Sequence, residues 1–396
     1  MNQQLSHRIN NMATSATLAM AAKARELREE GKDIIGLSLG EPDFTIPEFV
    51  KEAAIKAIEQ DFHSYTPVDG YGDLKTAIIT KFKRDNNLEY KPGQIVVSTG
   101  AKQSLYNLAQ VLLDEGDEVL LPAPYWVSYS DIAKVAGGVP KEIKTSIEND
   151  FKITASELRA AITPKTKMII YSSPCNPSGS VYNKKELRAL ADVLVDFPQI
   201  IVISDEIYEH INFVGEHVSM AGFDDMYDRT VTVNGVSKAF SMTGWRIGYI
   251  GAPEWIARAC NKMQGQVTSG ANCIAQRATI AALENPPSKI KYMVDAFKER
   301  RKLILGLLSE IPGVKNNEPE GAFYVFPDIS YYFGKTLRGK HINTASDFSL
   351  YLLEEANVAT VTGEAFGDAN CIRISYAASE ADIKKAMQQI KAALTV

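Results

Sequence analysis

A lysine at position 238 has neighbours that suit covalent chemistry. Lys238 follows an apolar run typical of a strand, Ser237 precedes it, and Arg246 follows eight positions later on the next predicted strand. A buried lysine has a lowered pKa, because desolvation disfavours its charge, and its amine can then form a Schiff base with a carbonyl compound. The Ser237 hydroxyl and the Arg246 guanidinium would suit a phosphate group. Most lysines are solvated surface residues, so this interpretation depends on the neighbours.

Three further polar segments each follow a predicted strand. Ser98–Gln103 opens a helix, where Gly100 would let the backbone approach an anion and the first free N–H groups would point at it. Asp205–Tyr208 lies at the carboxyl end of an apolar run, where α/β folds build their sites. Ser173–Gly179 follows another such run. Taken alone, each segment has a simpler explanation: a tight turn, a helix N-cap by Asp205, or a loop of turn-forming residues.

Short apolar runs alternate with longer periodic segments through the middle of the chain. This alternation predicts an α/β layer with a mostly parallel sheet. The predicted strands are Gln94–Ser98, Glu118–Leu121, Lys167–Tyr171, Ile200–Ser204, Thr230–Val233 and Arg246–Ile250. The predicted helices are Ala101–Leu113, Tyr125–Ala136, Lys184–Phe197 and Pro253–Gln264. On the flanks we predict helices Thr17–Glu30, Ile290–Ser309, Ala345–Ala356 and Glu380–Leu394, with strands Ala322–Phe326 and Cys371–Tyr376.

The composition is that of a soluble globular protein. The chain has 396 residues, 45% hydrophobic and 23% charged, and this length predicts two domains. Its net charge of −5 gives no reason to expect nucleic acid or a membrane as partner, and no run approaches the roughly 18 apolar residues of a membrane span. The four cysteines form no Cys-x-x-Cys pair, the five histidines show no metal-ligand spacing, and residues 1–11 lack a signal core. We expect a cytoplasmic protein without a metal site.

Together these segments resemble those of the class I and II aminotransferases, of the aspartate aminotransferase fold type. The run Gly235–Gly248 is similar to the lysine signature of that family at every position. The resemblance extends from about Ser15 to the C-terminus, and is greatest to the bacterial branch, subgroup I-beta, that can also accept prephenate. The other similar segments are Gly40–Phe44, Tyr65–Thr66 before Gly70, Pro124–Trp126, Asn176–Gly179, Ser204–Tyr208 and Arg373–Ser375.

The resemblance implies a fold type I transferase that carries pyridoxal 5'-phosphate covalently on Lys238. It also implies that Asp205 pairs with the pyridine nitrogen and keeps it protonated. Tyr208 and Asn176 would hydrogen-bond the phenolic oxygen of the ring. Trp126 would stack on the ring, although it could also be a core tryptophan. The phosphate region would be formed by Gly100, Ala101, Lys102, Ser237 and Arg246.

The same resemblance implies how substrates bind. Arg373 would hold the α-carboxylate through two parallel hydrogen bonds, with backbone at Gly40 helping. Lys102 is the candidate for a second carboxylate, with Ser15 and Thr17 nearby, although it could also be a solvated lysine at a helix start. The expected substrates are therefore aspartate or glutamate with 2-oxoglutarate or oxaloacetate. Prephenate, aromatic and broad specificity stay open, because a lysine is a point charge rather than a fork.

For the whole molecule the resemblance implies two domains and a homodimer. Tyr65 would reach the phosphate of a neighbouring subunit, which places the active sites at an interface. The large domain would have a mostly parallel sheet flanked by helices, and the smaller domain would be α+β. The expected division is an N-terminal arm at 1–14, a small domain at 15–46 with 287–396, and a large cofactor-binding domain at 47–286.

Two other functions use the same scaffold. One is a pyridoxal-phosphate enzyme of another class, such as a carbon–sulfur lyase or a cyclopropane-carboxylate synthase, because the same electron sink serves several bond cleavages. The other is a cofactor-sensing domain of a regulator. We expect no regulator, because the similarity begins near the start of the chain and leaves no room for a DNA-binding segment, and because Lys238 is retained.

Overall fold

The computed structural model describes residues 4–10 and 12–395. In that part of the chain the α-helices are α1 (His7–Asn10), α2 (Ala16–Glu29), α3 (Glu48–Glu59), α4 (Gly72–Asn86), α5 (Ala101–Leu112), α6 (Ser128–Val135), α7 (Ala155–Ala161), α8 (Lys184–Val195), α9 (Glu254–Val267), α10 (Cys273–Glu284), α11 (Lys291–Ser309), α12 (Ala345–Glu355) and α13 (Glu380–Leu394). The strands are β1 (Ile35–Gly36), β2 (Ile95–Ser98), β3 (Glu118–Pro122), β4 (Val139–Ile143), β5 (Thr166–Ser172), β6 (Ile201–Asp205), β7 (Thr230–Gly235), β8 (Gly248–Gly251), β9 (Tyr324–Val325), β10 (Lys335–Leu337), β11 (Lys340–Ile342), β12 (Val358–Ala359), β13 (Val361–Thr362) and β14 (Ile372–Ser375).

A seven-stranded sheet forms the middle of the molecule, in the order β2-β8-β7-β6-β5-β3-β4. Strands β4, β3, β5, β6 and β7 run parallel, whereas β8 is antiparallel to both of its neighbours. Every residue of β2, β3, β6, β7 and β8 is buried. Nearly continuous apolar strands are typical of a sheet covered on both faces. The predicted α/β fold with a mostly parallel sheet is confirmed.

Helices cover both faces of this sheet. Val119 packs in one hydrophobic cluster with residues of α5 and α9, and the next residue, Leu120, packs in another with residues of α8. Successive side chains of a strand point to opposite faces, so one strand contributes to both clusters. The two layers of helices leave the carboxyl edge of the parallel strands free for a site.

A smaller antiparallel sheet, in the order β13-β14-β9, lies in the C-terminal part of the chain. Its core joins residues of α11, α12 and α13, such as Phe297, Phe348 and Ile390, with Ile35 and Leu37 from the N-terminal part. Strand β1 also pairs with β12 in parallel. These contacts join the two flanks of the chain, and the expected division into domains, with its boundary at residue 286, stays a prediction. Of the predicted arm, residues 1–3 and 11 lie outside the described part.

Two details of the prediction are wrong. Arg246 was expected on a strand, but a 3-10 turn at Thr243–Trp245 precedes it, its φ is 56°, and β8 begins only at Gly248. The turn is stabilised by a hydrogen bond of 2.8 Å from Arg246 to the Thr243 carbonyl. The helix predicted from Tyr125 begins three residues later, because the Tyr125 N–H donates to the Phe366 carbonyl at 2.9 Å instead of entering a helix.

The alternative role of Asp205 as a helix N-cap does not hold in the structure. No α-helix follows β6 directly, and the Asp205 carboxylate instead accepts a hydrogen bond from the Ile207 N–H at 3.2 Å, within a turn. No helix in the described ranges is long and apolar enough to cross a membrane.

Candidate active site

A cavity of about 220 Å³ lies between the carboxyl edge of the large sheet and the small sheet. Strands β5 and β6 end at it, the loop after β7 forms one wall, and β9 and β14 form another. Most of the residues singled out from the sequence line it. They are Ser15, Thr17, Gly40, Ala101, Lys102, Trp126, Asn176, Asp205, Tyr208, Ser237, Lys238, Arg246 and Arg373.

Lys238 lies in the loop that follows β7, with its amine inside the cavity. Its Nζ donates to the Gly40 carbonyl at 2.7 Å, which joins the large sheet to the N-terminal segment. Desolvation, followed by the nearby charge of Arg373, lowers the pKa of Lys238 to about 8. About a tenth of this amine is therefore uncharged at pH 7, which makes it available for nucleophilic or base chemistry.

Asp205 ends β6 and is 4% exposed. Its carboxylate accepts hydrogen bonds from the Tyr129 hydroxyl at 2.7 Å and from the Ile207 N–H at 3.2 Å. Burial raises the pKa of Asp205 to about 6, although the Tyr129 hydrogen bond opposes the rise. Its hydrogen-bond partners are thus uncharged, although the charge of Lys238 in the same cavity also lowers its pKa. Asp205 is thus a buried carboxylate that lacks a cationic partner.

Arg373 lies on β14 and is only 2% exposed. One of its terminal nitrogens donates to Asn176 Oδ1 at 2.9 Å, and the other donates to the Ser38 carbonyl at 2.5 Å. Its Nε is buried without a partner among the described residues, and desolvation lowers the pKa of the guanidinium. Because a planar guanidinium matches a carboxylate with two donors, this side chain is suited to bind one in the cavity.

The first turn of α5 and Arg246 form a positively charged corner of the cavity. Gly100 has φ +84°, and a Cβ there would lie 2.3 Å from an Arg246 terminal nitrogen. A Cβ on Gly248 would lie 2.1 Å from the Ala101 backbone nitrogen. Both glycines therefore permit the arginine and the helix N-terminus to meet, and Ser237 lines the same cavity. Free N–H groups, a hydroxyl and a guanidinium together suit a phosphate.

Lys102 marks the open end of the cavity. Its Nζ lies 4.8 Å from the centre of the Trp126 ring, a distance at which a cation is attracted to the face of an aromatic ring. Desolvation and then the charge of Arg246 lower the pKa of Lys102. Ser15, directly before α2, and Thr17 in its first turn line the same cavity. One positive charge and two hydroxyls therefore lie together in this part of the cavity.

The sequence of the chain matches a known protein family. The model described as aminotransferase class I and II matches residues 32–390. The chain belongs to this family. The match covers both sheets and the cavity residues from Gly40 onwards, as expected from the resemblance of the motifs.

Relatives of this aminotransferase are similar over their full length. An aspartate/prephenate aminotransferase of Nitrosomonas europaea is 46% identical over 396 residues, which cover 99% of this chain and 100% of the relative. An aspartate aminotransferase of Bacillus subtilis is 44% identical over 390 residues, 98% of each chain. The crystal structure of aspartate aminotransferase from Rhizobium meliloti superposes with a TM-score of 0.95 at 44% identity, covering 99% of this chain and 98% of that one. The fold is therefore that of the aspartate aminotransferases, fold type I.

Tyr65 is the one predicted site residue that this single aminotransferase chain leaves far from the cavity. Its side chain is 98% exposed, in a separate surface depression that also contains Thr66, Gly270 and Cys273. The predicted contact with the phosphate of a neighbouring subunit requires a second copy and stays a prediction. Gly100 does not line the cavity either, but it packs closely against the side chain of Arg246, and Arg246 does line the cavity.

The aminotransferase site also contains residues that the sequence did not single out. Tyr129 donates to Asp205, and Tyr324 meets the Tyr208 hydroxyl at 2.7 Å. Tyr129 lies within a predicted helix and Tyr324 within a predicted strand, where an aromatic residue normally signals burial alone. The hydrogen-bond partners of the two hydroxyls are 76 and 116 positions away in the chain, so the local sequence pattern does not reveal them.

A buried cluster of charged groups begins at Glu206, directly after Asp205, and its members do not line the cavity. Ligand atoms of Glu206, Glu209 and His217 lie within 4.8 Å of one another. Lys81 forms an ion pair with Glu209, and the His217 ring is 2.8 Å from a Glu206 oxygen. This pairing satisfies the acidic groups without an ion, and the expected absence of a metal site stays a prediction.

Proposed function

We propose that this aminotransferase uses pyridoxal 5'-phosphate on Lys238 to move an amino group between aspartate or glutamate and 2-oxoglutarate or oxaloacetate. The observation that carries the proposal is the meeting of Lys238, Asp205 and Arg373 in one buried cavity, with Lys102 at its open end. These four groups supply an amine of lowered pKa, an unpaired carboxylate, a carboxylate-binding fork and a second positive charge.

The residues present fit the cofactor. The Asp205 carboxylate is buried without a cation, so a protonated pyridine nitrogen would complete it. The corner formed by the first turn of α5, Ser237 and Arg246 suits a phosphate. Trp126 lines the same cavity and offers an aromatic face that can stack on a ring.

When bound, pyridoxal phosphate supplies a protonated ring that accepts electrons from the substrate Cα. Asp205 would keep the ring nitrogen protonated, because a negative carboxylate next to that nitrogen favours its positively charged form. Tyr208 and Asn176 would hydrogen-bond the phenolic oxygen. The Lys238 amine, with its pKa lowered to about 8, would take the proton from the substrate Cα and deliver it to the cofactor carbon that receives the amino group.

The two carboxylates of the substrate would bind at opposite ends of the cavity. Arg373 binds the α-carboxylate, with Gly40 beside it, because its fork is buried and one nitrogen has no partner in the described structure. Lys102, with Ser15 and Thr17, binds the side-chain carboxylate. A structure of the Thermus thermophilus aspartate aminotransferase, 41% identical over 98% of this chain and 99% of that one with a TM-score of 0.93, contains maleate, a dicarboxylate.

Prephenate is a second candidate acceptor. Several relatives at about 45% identity are named aspartate/prephenate aminotransferases. A single lysine at the cavity mouth accepts a carboxylate at a range of positions, whereas a second arginine would demand one geometry. Leu18, which is 61% exposed, also lines the mouth and offers an apolar contact for a ring.

The functional unit that we propose is a cytoplasmic homodimer. Tyr65 is 98% exposed, and Ile55 and Ile58 on α3 are 54% and 62% exposed. Exposed apolar side chains on one element are typical of an interface. A second copy on this face would cover them and could bring its Tyr65 to the phosphate corner.

Reduction and mass mapping test the cofactor assignment without an activity assay. Protein loaded with pyridoxal phosphate and treated with borohydride should carry the added mass on the peptide that contains Lys238. Lys238→Ala should carry none, and Lys184→Ala, which changes an exposed lysine at the start of α8, should label like the wild type. Labelling of another lysine, or equal labelling of Lys238→Ala, would contradict the assignment.

A further inference from the structure

Two buried tyrosine hydroxyls meet at the wall of the cavity. Tyr324 Oη lies 2.7 Å from Tyr208 Oη, and the two rings are 5.8 Å apart at 80°. Tyr324 belongs to β9 of the small sheet, whereas Tyr208 follows β6 of the large sheet. They are 1% and 3% exposed. The hydrogen bond therefore crosses from one sheet system to the other beside the reacting groups.

The direction of this hydrogen bond depends on where each tyrosine donates its one hydroxyl proton. A phenol has one proton to donate and lone pairs to accept with. Burial raises the pKa of both Tyr208 and Tyr324, so both keep their protons at neutral pH. If Tyr208 gives its proton to the cofactor, its bond with Tyr324 can exist only when Tyr324 is the donor.

The position of the Tyr324 hydroxyl is fixed by its surroundings. A Cβ on Gly40 would lie 2.0 Å from the Tyr324 oxygen, so this oxygen packs directly against the glycine backbone. The Tyr324 ring is also constrained, because the Arg373 guanidinium carbon lies 4.6 Å from its centre. The ring supports the carboxylate-binding arginine, and its hydroxyl reaches Tyr208.

We infer that Tyr324 is a positioning residue that donates to Tyr208, directs the Tyr208 proton to the phenolic oxygen of the cofactor, and links that oxygen to the Arg373 site. This inference rests on the proposed function. Two hydrogen bonds in series polarise each other, so the second strengthens the first. The pair draws negative charge from the phenolic oxygen, which weakens its hold on the proton of the nitrogen that joins the cofactor to Lys238.

A pH titration of the cofactor-loaded protein, without substrate, tests the inference. Tyr208→Phe should raise the midpoint of the visible absorption band by about one unit or more, and Tyr324→Phe should raise it by about half a unit or more. Tyr208→Phe with Tyr324→Phe should match Tyr208→Phe alone, because Tyr324 then has no hydroxyl to act through. Tyr324→Phe keeps its ring on Arg373, so KM for the amino acid should change far less than kcat.

Tyr376→Phe is the matched control. Tyr376 is fully buried near the same sheet, donates to the Ala322 carbonyl at 3.2 Å and does not line the cavity, so its loss should leave the midpoint unchanged. Gly40→Ala is a second variant, usable if Tyr324→Phe does not fold. It forces the Tyr324 oxygen to move and should raise the midpoint in the same direction.

Two results would overturn the inference: a wild-type midpoint in Tyr324→Phe, or a shift that is fully additive with that of Tyr208→Phe. Failure of the proposed function is recognised separately. In that case the wild-type protein shows no visible band that Lys238→Ala removes, and no titration exists to compare.

Discussion

Burial shifts the pKa values of the two main ionisable groups of the site towards 7 from opposite directions. It lowers the pKa of Lys238 to about 8 and raises that of Asp205 to about 6. Both groups thus change charge near physiological pH, where small changes in their surroundings have the largest effect. Partners within hydrogen-bond distance, Gly40 and Tyr129, then determine where each group points.

Replacing Lys238 by methionine should stabilise the cofactor-free protein. The folded-state pKa of about 8 is below the ordinary lysine value of 10.5, so the unfolded chain binds more protons between these pH values. The lysine therefore destabilises the fold fully below about pH 8, and the penalty falls as pH rises towards 10.5. Lys238→Met should gain up to about 3 kcal/mol at pH 7, reduced by screening from solvent in the cavity.

Denaturant unfolding at pH 7, 9 and 10 measures this gain. Lys184→Met, at an exposed position, controls for the loss of a lysine. A gain for Lys238→Met that stays constant or grows with pH would contradict a lowered pKa.

Replacing Tyr129 by phenylalanine should move the acid side of the pH profile upwards. The Tyr129 hydroxyl donates to the Asp205 carboxylate at 2.7 Å and holds its pKa down. A hydrogen bond to a charged group is worth about 1.5–3 kcal/mol, so the acid limb of kcat/KM should shift up by about one to two pH units. Tyr125→Phe is the control, because Tyr125 donates to Glu142 at 2.7 Å, a carboxylate outside the cavity wall. An unmoved limb would show that Asp205 does not govern it.

At this scale the sequence predicts residue types at the ends of strands better than it predicts their partners. Lys238, Asp205 and Arg373 each lie in a short sequence motif, and these motifs occur along the chain in the order that the family resemblance implies. The hydroxyls of Tyr129 and Tyr324 carry no such signal, because a buried aromatic residue in a periodic segment is adequately explained by packing.

Among the elements, the register of the parallel strands assembles the site. Ser172 at the end of β5 pairs with Asp205 at the end of β6, and β7 ends beside them before Lys238. Because parallel strands end at the same edge, three separate loops deliver their polar residues to one cavity. The N-terminus of α5 closes the same edge from the other side of β8.

The glycine before α5 should be more sensitive than a glycine of similar conformation elsewhere. Gly100 and Gly116 have φ of +84° and +88°, but a Cβ would meet Arg246 at 2.3 Å only at Gly100 and would be free at Gly116. Alanine should cost each of them about 1 kcal/mol of stability for the left-handed backbone. Only Gly100→Ala should also weaken pyridoxal phosphate binding, by about tenfold or more, because Arg246 must move.

Equilibrium binding of pyridoxal phosphate and thermal unfolding of both variants separate the two effects. Equal cofactor affinity in Gly100→Ala and Gly116→Ala would mean that the α5 corner does not hold the phosphate.

Most elements could be predicted from apolar runs and their spacing, and helix α13 matches its predicted bounds, Glu380–Leu394. The segment around Arg246 could not, because its turn is stabilised by a hydrogen bond from the Arg246 side chain to the Thr243 carbonyl, a contact that the apolar pattern does not reveal. The start of α6 could not either, since Tyr125 bonds to Phe366, more than 200 positions away. The hydrophobic pattern of a segment does not predict its structure where contacts with distant residues determine the backbone conformation.

In the whole molecule, the site exists only where the two sheet systems touch. Lys238 bonds to Gly40, Asn176 accepts from Arg373, and Tyr208 meets Tyr324. Each pair joins a residue of the large sheet region to one of the small sheet region. Sequence pattern predicts neither this contact nor a dimer, because both join segments that are remote in the chain; the family resemblance supplied them.

Replacing Tyr65 by phenylalanine should weaken pyridoxal phosphate binding by about tenfold, the loss of one hydrogen bond to an anion. The reason is the proposed contact from a second copy, since Tyr65 is exposed in a single chain. Tyr331→Phe, at another exposed tyrosine, should bind normally. Cofactor binding measured across protein concentrations, alongside sedimentation, checks both. An unchanged affinity in Tyr65→Phe, or full affinity in a monomer, would contradict the shared site.

The most direct measurement of the central claim is the half-reaction of the cofactor-loaded protein with single amino acids. Aspartate and glutamate, without any 2-oxo acid, should each release about one equivalent of oxaloacetate or 2-oxoglutarate per site, because the amino group stays with the protein. Lys102→Met should slow both by about tenfold or more while leaving phenylalanine unaffected. Release of neither 2-oxo acid, or continuous release of pyruvate with ammonia or sulfide from cysteine, would contradict an acidic amino-acid aminotransferase.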